Sequence, residues 1–285
     1  MPMRMRATLF ALPVTAIYAA LFVLPLAVLW VESVRTFEPG YVGARPDAAL
    51  TAQNYLDLLS GAFADTLLTT LRIGLLASLA GVALALPLAY LCARNLRAGL
   101  AKGLLALFVL LMFLGVLVRT YALQLMLGSV GPLRPLLLAL GVAPNGRGYI
   151  EFCVGAGLLH YIIPLSALTL IPALRAIDPR LLESALSLGA SRTVAHATVT
   201  LPLCARGLLA AFLLSMTFSI SAFVIPMVLG RGRVNFVSGL VYTRFSEIAN
   251  YPSGAAIAIA TLAVSLVVVA GLAALVRRWT NARIH

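Results

Sequence analysis

Long apolar runs separated by short polar stretches dominate the pattern of the chain. Six of these runs hold 22 to 26 residues each, enough to cross about 30 Å of hydrocarbon as an α-helix. They are Ala7–Val31, Leu67–Cys92, Leu104–Leu127, Phe152–Leu174, Leu208–Leu229 and Ala255–Val276. Because a helix satisfies its own backbone hydrogen bonds in lipid, the pattern predicts an all-α polytopic membrane protein with six transmembrane helices.

Composition supports a lipid environment. The chain has 285 residues, of which 62% are hydrophobic, and its mean hydropathy is +1.03, whereas soluble domains are roughly 45–50% apolar. The first run spans 25 residues, which exceeds the roughly 7–15 residues of a signal-peptide core. We therefore predict an uncleaved first span and a single transmembrane domain over residues 1–285.

The net charge of +12 indicates membrane topology rather than nucleic-acid binding, because the basic residues lie between apolar runs and do not form a stripe with aromatics. With the N-terminus inside, the inner segments hold twelve basic residues and two acids. The outer segments hold eight basic residues and seven acids. This bias predicts that both termini are cytoplasmic.

The stretch from 181 to 203, LLESALSLGASRTVAHATVTLPL, lies between the fourth and fifth runs on the predicted inner side. Asp178 and Pro179 just before it suit the N-cap and first position of a helix. Gly189 suits a helix end, and Pro202 suits the entry to the next span. The pattern predicts a helix, a turn and a second helix, which on spacing alone fits an amphipathic linker as well as a contact site for a partner.

The spacing of this stretch resembles the EAA motif of ABC importer permeases. Glu183-Ser184-Ala185 is followed by three residues, Gly189, nine residues and Val199-Thr200-Leu201-Pro202, with Ser184 and Val199 as the two departures from the family pattern. The resemblance implies a cytoplasmic coupling loop at about 175–206, whose helix docks onto a cytoplasmic ATPase dimer. The residues expected to contact the ATPase are Glu183, Ser184, Ala185, Gly189 and Ala190.

Further segments resemble the spermidine/putrescine permease branch of that family. They are Asn54-Tyr55, Arg119–Ala122, Ala222–Pro226 and the entry to the sixth run at Tyr251-Pro252. The resemblance implies a type I ABC importer permease fold with core spans at about 67–276, in a bacterial inner membrane. It also implies a second homologous permease, a periplasmic solute-binding protein and, as solute, a polyamine. Phosphonates, opines, iron and amino acids stay open as alternative solutes.

Several residues inside the runs are candidates for the solute pathway. Arg119 lies in the outer half of the third run, where an ionisable group either serves function or snorkels to the interface. Aromatic rings can bind alkylammonium groups or simply pack. The candidates are Arg119, Tyr121, Tyr161, Phe218, Phe223 and the predicted pathway kink Pro226.

Motifs for chemistry are missing from the sequence. It contains no G-x-x-x-x-G-K-[ST] phosphate loop, so we expect ATP to be bound by partner chains and this chain to be no enzyme. We expect no metal or other cofactor either, since His160 and His196 lack ligand spacing. The rival readings are a secondary transporter, for which acids inside the runs are missing, and a structural membrane protein, which would leave the EAA spacing unexplained.

Overall fold

The computed structural model describes residues 3–59, 61–95 and 97–281. The secondary structure of these residues consists of helices and one isolated β-bridge, which joins Arg35 and Leu50. The α-helices are α1 Met3–Ser33, α2 Gln53–Asp57, α3 Gly61–Tyr90, α4 Ala98–Phe113, α5 Val116–Leu127, α6 Arg134–Ala139, α7 Arg147–Arg175, α8 Pro179–Ser187, α9 Arg192–Ala195, α10 Leu201–Leu203, α11 Ala205–Ser221, α12 Val224–Leu229, α13 Val237–Tyr242 and α14 Tyr251–Asn281. Three π-helical stretches are interspersed, at Leu91–Asn95, His196–Thr200 and Thr243–Glu247.

The predicted all-α architecture with six spans is confirmed. In the described part of the chain, four continuous segments are long and apolar enough to cross a membrane: Thr15–Ser33, Gly61–Arg94, Arg147–Arg175 and Tyr251–Ala274. The other two are bent pairs of helices, Ala98–Phe113 with Val116–Leu127 and Arg192–Leu203 with Ala205–Ser221.

The prediction of one continuous helix over Leu104–Leu127 is wrong. The helix breaks at Leu114 and Gly115, whose ψ angles of 120° and 138° are extended. The chain therefore bends by 98° between α4 and α5. As a result, Arg119 does not lie along a straight helix from the cytoplasmic side, as the sequence had suggested.

The predicted fifth span, Leu208–Leu229, is also divided. Helix α11 ends at Ser221, Ala222 is extended with ψ 121°, and α12 starts at Val224. Pro226 therefore lies in the first turn of a new helix, where its missing N–H is tolerated. The break lies just before Pro226, at Ala222, whose carbonyl the ring of Pro226 would meet four residues on in a continuous helix. A pathway role for the predicted kink stays a prediction.

Two compact units can be distinguished in the chain. The first comprises the described residues of Met1–Asp65 and Leu240–Ala263, and the second comprises those of Thr66–Gly239 and Val264–His285. The units are groups of residues close in space, not segments known to fold alone. The prediction of one domain over residues 1–285 therefore stays a prediction.

Within the first unit, α2 is fastened to the end of α1. Asn54 Nδ2 donates to the carbonyl oxygens of Ser33 and Arg35, each at 2.9 Å. The hydroxyls of Tyr55 and Ser33 lie 2.7 Å apart. The pair Asn54-Tyr55, noted in the sequence for its family resemblance, thus orders the loop that follows α1.

Within the second unit, α7 provides the central apolar surface. Its buried residues recur every three or four positions, as a helix requires when neighbours cover much of its surface. One buried cluster joins its N-terminal half to α3 and α12, and another joins its C-terminal half to α3, α4 and α11. The cysteines Cys92, Cys153 and Cys204 are all buried and free.

Small and hydroxyl side chains bring the helices of this unit close together. Ser78 on α3 lies 3.3 Å from Ser219 on α11, measured between the Oγ atoms. Ser166 on α7 lies 2.9 Å from Ser215 on α11, again between Oγ atoms. Such pairs commonly hold helices together in lipid, where the hydrophobic effect does not drive helix association.

Gly157 on α7 packs closely against side chains of α12. A Cβ there would lie 2.5 Å from Leu229 Cδ1 and 2.8 Å from Ile225 Cγ2, whereas one at Gly155 would meet nothing within 4 Å. We expect Gly157→Ala to lower the free energy of unfolding by about 1–3 kcal/mol through overpacking. Thermal denaturation in detergent measures the effect. Gly155→Ala, two residues away on the same helix, should match or exceed the stability of the natural protein, and equal melting of both variants would contradict the close packing.

Candidate functional site

The start of α8 is capped as the sequence predicted. Asp178 Oδ1 accepts a hydrogen bond of 2.9 Å from the backbone N–H of Arg180, and Pro179 is the first helical residue. The side chain thus satisfies one of the free N–H groups at the start of the helix. This cap fixes where α8 begins without help from another element.

The end of α8 is equally self-contained. Gly189 has φ +87°, a conformation that residues with a Cβ rarely adopt. The N–H of Gly189 donates to the Leu186 carbonyl at 3.0 Å, and the N–H of Ala190 donates to the Ala185 carbonyl at 3.2 Å. These two bonds form a Schellman motif, which closes the helix.

The second half of the predicted helix–turn–helix is also present. Ser191 caps α9 by accepting from the N–H of Val194 at 3.4 Å. The chain continues through the π-helical stretch His196–Thr200 into α10. The segments Arg192–Leu203 and Ala205–Ser221 then meet at 71°, so Pro202 lies next to the bend into the fifth span.

Helix α8 is exposed on most of its surface. Glu183, Ser184 and Gly189 are exposed, and Ala185 and Ala190 are half-buried. Leu188 at the end of α8 is 89% exposed. The structure therefore brings the five predicted coupling residues together on an accessible helix and turn.

A cavity of about 390 Å³ lies beside the first turn of α8. Tyr90 and Arg94, from the end of α3 and the π-helical stretch after it, line the cavity together with Asp178 and Glu183. Next to it, the rings of Tyr90 and His196 pack nearly at right angles, with 4.8 Å between their centroids. Helix α8 thus adjoins the C-terminal end of α3.

Arg94 is a residue that the sequence did not single out. Its Nη2 donates to the carbonyl oxygens of Leu174, at 2.8 Å, and of Ile177. These carbonyls end α7, where a cation is favoured by the helix dipole as well. Only the general preference for basic residues at helix C-termini could have suggested it, because Arg94 precedes Leu174 by 80 positions in the sequence.

In the second unit, three of the candidate pathway residues form a stack. The guanidinium carbon of Arg119 lies 4.7 Å from the centroid of the Tyr161 ring. The Tyr161 and Phe218 rings are parallel to within 7°, with centroids 3.9 Å apart. Arg119 is only 5% exposed, so its side chain is enclosed by protein and does not extend to the outer surface.

The other candidates lie outside this stack. Tyr121 follows Arg119 on α5 by two positions, which turns it to the opposite side of the helix, and it is 57% exposed. Phe223 precedes α12 and is half-buried, and Pro226 is buried in the first turn of α12. A pathway role for any of these residues stays a prediction.

The positive φ angle of Gly189 gives a test of the loop geometry. A Cβ at this position would meet no atom within 4 Å, so Gly189→Ala changes backbone strain alone, by about 1–2 kcal/mol. We expect faster hydrogen exchange of the Gly189 and Ala190 amides, because the Schellman bonds weaken. Gly99→Ala is the control, since its Cβ would also meet nothing and its φ is not positive. Unchanged exchange in Gly189→Ala would contradict the assigned turn.

Comparison with known proteins places this architecture in a family. The model of the family described as "Binding-protein-dependent transport system inner membrane component" matches residues 85–281, which include the whole loop from α8 to α10. The spermidine/putrescine transport system permease protein PotB of Escherichia coli (strain K12) is 30% identical over 236 residues, covering 82% of this chain and 83% of PotB. PotB of Haemophilus influenzae is 29% identical over 212 residues, covering 74% of each chain.

A solved structure shares the fold. A chain of a bacterial ABC transporter involved in the import of the acidic polysaccharide alginate superposes with a TM-score of 0.74. The match covers 96% of both chains at 19% sequence identity, a level at which the fold alone is shared. With the family match over more than half of its length, the chain belongs to the inner-membrane components of binding-protein-dependent transport systems, and is a multi-pass permease subunit of the ABC importer class.

Proposed function

We propose that this chain forms half of the solute pathway of an ABC importer and couples it, through α8, to a cytoplasmic ATPase dimer. The observation that carries the proposal is the capped, exposed helix α8 with Glu183 on its surface and Gly189 at its end. A helix whose two ends are satisfied locally can enter a partner's cleft without unravelling. Ala185 and Ala190 allow a close approach there, and Glu183 can pair with a basic group.

The proposed assembly contains further subunits, because this chain supplies only half of the pathway and no ATPase activity. ATP binds to and is hydrolysed by the ATPase dimer, so this chain needs no cofactor and is not itself an enzyme. A second, homologous permease forms the other half of the pathway, and a periplasmic solute-binding protein delivers the solute to the outer loops. Both termini lie in the cytoplasm, since the excess of basic over acidic residues lies in the segments on that side.

Removing the negative charge of Glu183 tests the coupling role of α8. We expect Glu183→Ala to lower the amount of ATPase retained by the tagged permease in mild detergent about 5- to 10-fold, as loss of a hydrogen-bonded interface charge does. Ser187→Ala is the matched control, because Ser187 is exposed on the same helix and its hydroxyl bonds only the Glu183 carbonyl within α8. Equal retention by Glu183→Ala and the natural protein would count against α8 as the docking element.

For the solute, we propose a polyamine. The support is the name of PotB, a spermidine/putrescine permease that matches most of this chain at 30% identity. Phosphonates, opines, iron and amino acids are the alternatives, and a polyamine is chosen over them because both PotB relatives cited above are named for spermidine and putrescine. The enclosed Arg119 on Tyr161 carries a charge of the same sign as a polyamine, and its presence beside a cation pathway requires an explanation.

A binding assay on the partner tests the solute class. We expect spermidine or putrescine to raise the melting temperature of the cognate solute-binding protein by several degrees, because a ligand that binds only the native state stabilises it by mass action. Phosphonate, ferric citrate and an amino acid mixture serve as the comparison ligands. Stabilisation by one of these and not by polyamines would replace the solute while leaving the importer function intact.

A further inference from the structure

The Arg119 guanidinium is a charge that lacks an ordinary partner in the described part of the chain. None of its three nitrogen atoms has a hydrogen-bond partner there, although all three are buried. No ion pair of the described residues includes it, either. Because an arginine keeps its proton even when buried, a full positive charge is held at this point mainly by the face of the Tyr161 ring.

The Tyr161 ring is occupied on both sides. Phe218 stacks at 3.9 Å between centroids, which leaves no room for a guanidinium between the two rings. The Arg119 group, 4.7 Å from the same centroid, therefore lies on the other face. A ring face attracts a cation through its quadrupole, and this face can hold only one cation at a time.

The same ring face is suited to the ammonium group of the proposed solute. The acids nearest to the pathway helices in sequence, Asp65 and Glu151, lie at the outer ends of their runs. Glu151 is already paired there with Arg72 and Arg147. Away from these two acids, an aromatic ring face is the group that can bind a cation. Tyr161 and Phe218 are only half-buried, so part of their stack is accessible to a solute.

We propose that Arg119 is a tethered substitute for the solute, occupying in this conformation the site on Tyr161 that an alkylammonium group of the solute takes when the pathway opens. Repulsion between like charges in a poorly solvating interior prevents both cations from sharing the ring. The solute can therefore bind there only when α5 withdraws, and the break at Gly115, four residues before Arg119, lets α5 move separately from α4. This inference rests on the proposed polyamine function.

The proposal also explains why an importer of cations carries a buried arginine. While Arg119 covers Tyr161, its charge repels small cations and closes the site to passive flow. When the ATPase cycle moves α5, the Arg119 guanidinium leaves the Tyr161 ring and an ammonium group of the solute takes its place. A buried charge without a counter-ion is held weakly, as such an exchange requires.

The test compares charge removal with charge retention in the complete importer. The permease pair and its ATPase are reconstituted in lipid nanodiscs without ATP or binding protein, and equilibrium binding of radiolabelled spermidine is measured. We expect Arg119→Gln to raise the apparent affinity about tenfold, because the competing cation is gone. Arg119→Lys, which keeps a charge, should bind spermidine like the natural protein. Leu125→Ala, at a position of the same helix that is 74% exposed, is the matched control and should change nothing.

Two further variants connect the effect to the ring. Arg119→Gln combined with Tyr161→Leu should lose the tenfold gain, whereas Arg119→Gln combined with Tyr161→Phe should keep it. If Arg119→Gln fails to assemble, as a melting profile would reveal, Tyr161→Leu and Tyr161→Phe are compared alone. Spermidine uptake should then fall at least about tenfold in Tyr161→Leu and persist in Tyr161→Phe.

Other outcomes overturn the proposal in recognisable ways. Weaker spermidine binding in Arg119→Gln, with Arg119→Lys intact, would mean that the guanidinium binds an anion, either a carboxylate of the second permease or an anionic solute. Equal binding in all variants would mean that Arg119 only packs. Spermidine uptake by the natural importer is measured in parallel. If that uptake is absent, the proposed solute fails, and if it is present without the tenfold gain, only the present inference fails.

Discussion

Every backbone N–H and C=O inside hydrocarbon must find a partner within the protein, and the places where helices break are therefore the places where the structure is most tightly specified. Side chains from other elements serve several of these ends. The Ser238 hydroxyl donates to the Ala222 carbonyl at 2.6 Å, and the Tyr149 hydroxyl donates to the Leu127 carbonyl at 2.9 Å. Arg94 does the same for the last carbonyls of α7. These bonds order the segments that simple apolar helices leave undefined.

The same constraint explains which parts of the fold the sequence could predict. The number and approximate limits of the spans follow from apolar length, because each span has to cross the same thickness. The breaks do not follow. Gly115 lies inside an apolar run with no polar residue within three positions, and the partner of the Ala222 carbonyl is 16 positions away. Helix α8 was predictable because both of its caps, Asp178 and Gly189, lie within the helix's own neighbourhood.

For the candidate site, the sequence indicated the residues and not their arrangement. Arg119, Tyr161 and Phe218 were nominated one by one, yet their stacking depends on three helices, α5, α7 and α11, that are far apart in sequence. Tyr121 was nominated on equal grounds and faces away, since two helical positions correspond to about 200° of rotation. The rotation of α5 and the break before it decide whether Arg119 or Tyr121 reaches the Tyr161 ring. Neither feature can be predicted from the neighbouring sequence.

Helix α7 physically links the two sites. It carries Tyr161 in its middle, and its C-terminal carbonyls are held by Arg94, beside the cavity that Glu183 of α8 also lines. Thirteen positions separate Tyr161 from Leu174, about 20 Å along a helix, and buried neighbours cover this part of α7 on several sides. A displacement of α8 by an ATPase would therefore move the Tyr161 ring with the whole helix as a rigid body. Arg119 sits on a different segment, beyond the bend at Gly115, so the same displacement would change the distance between the ring and its tethered cation.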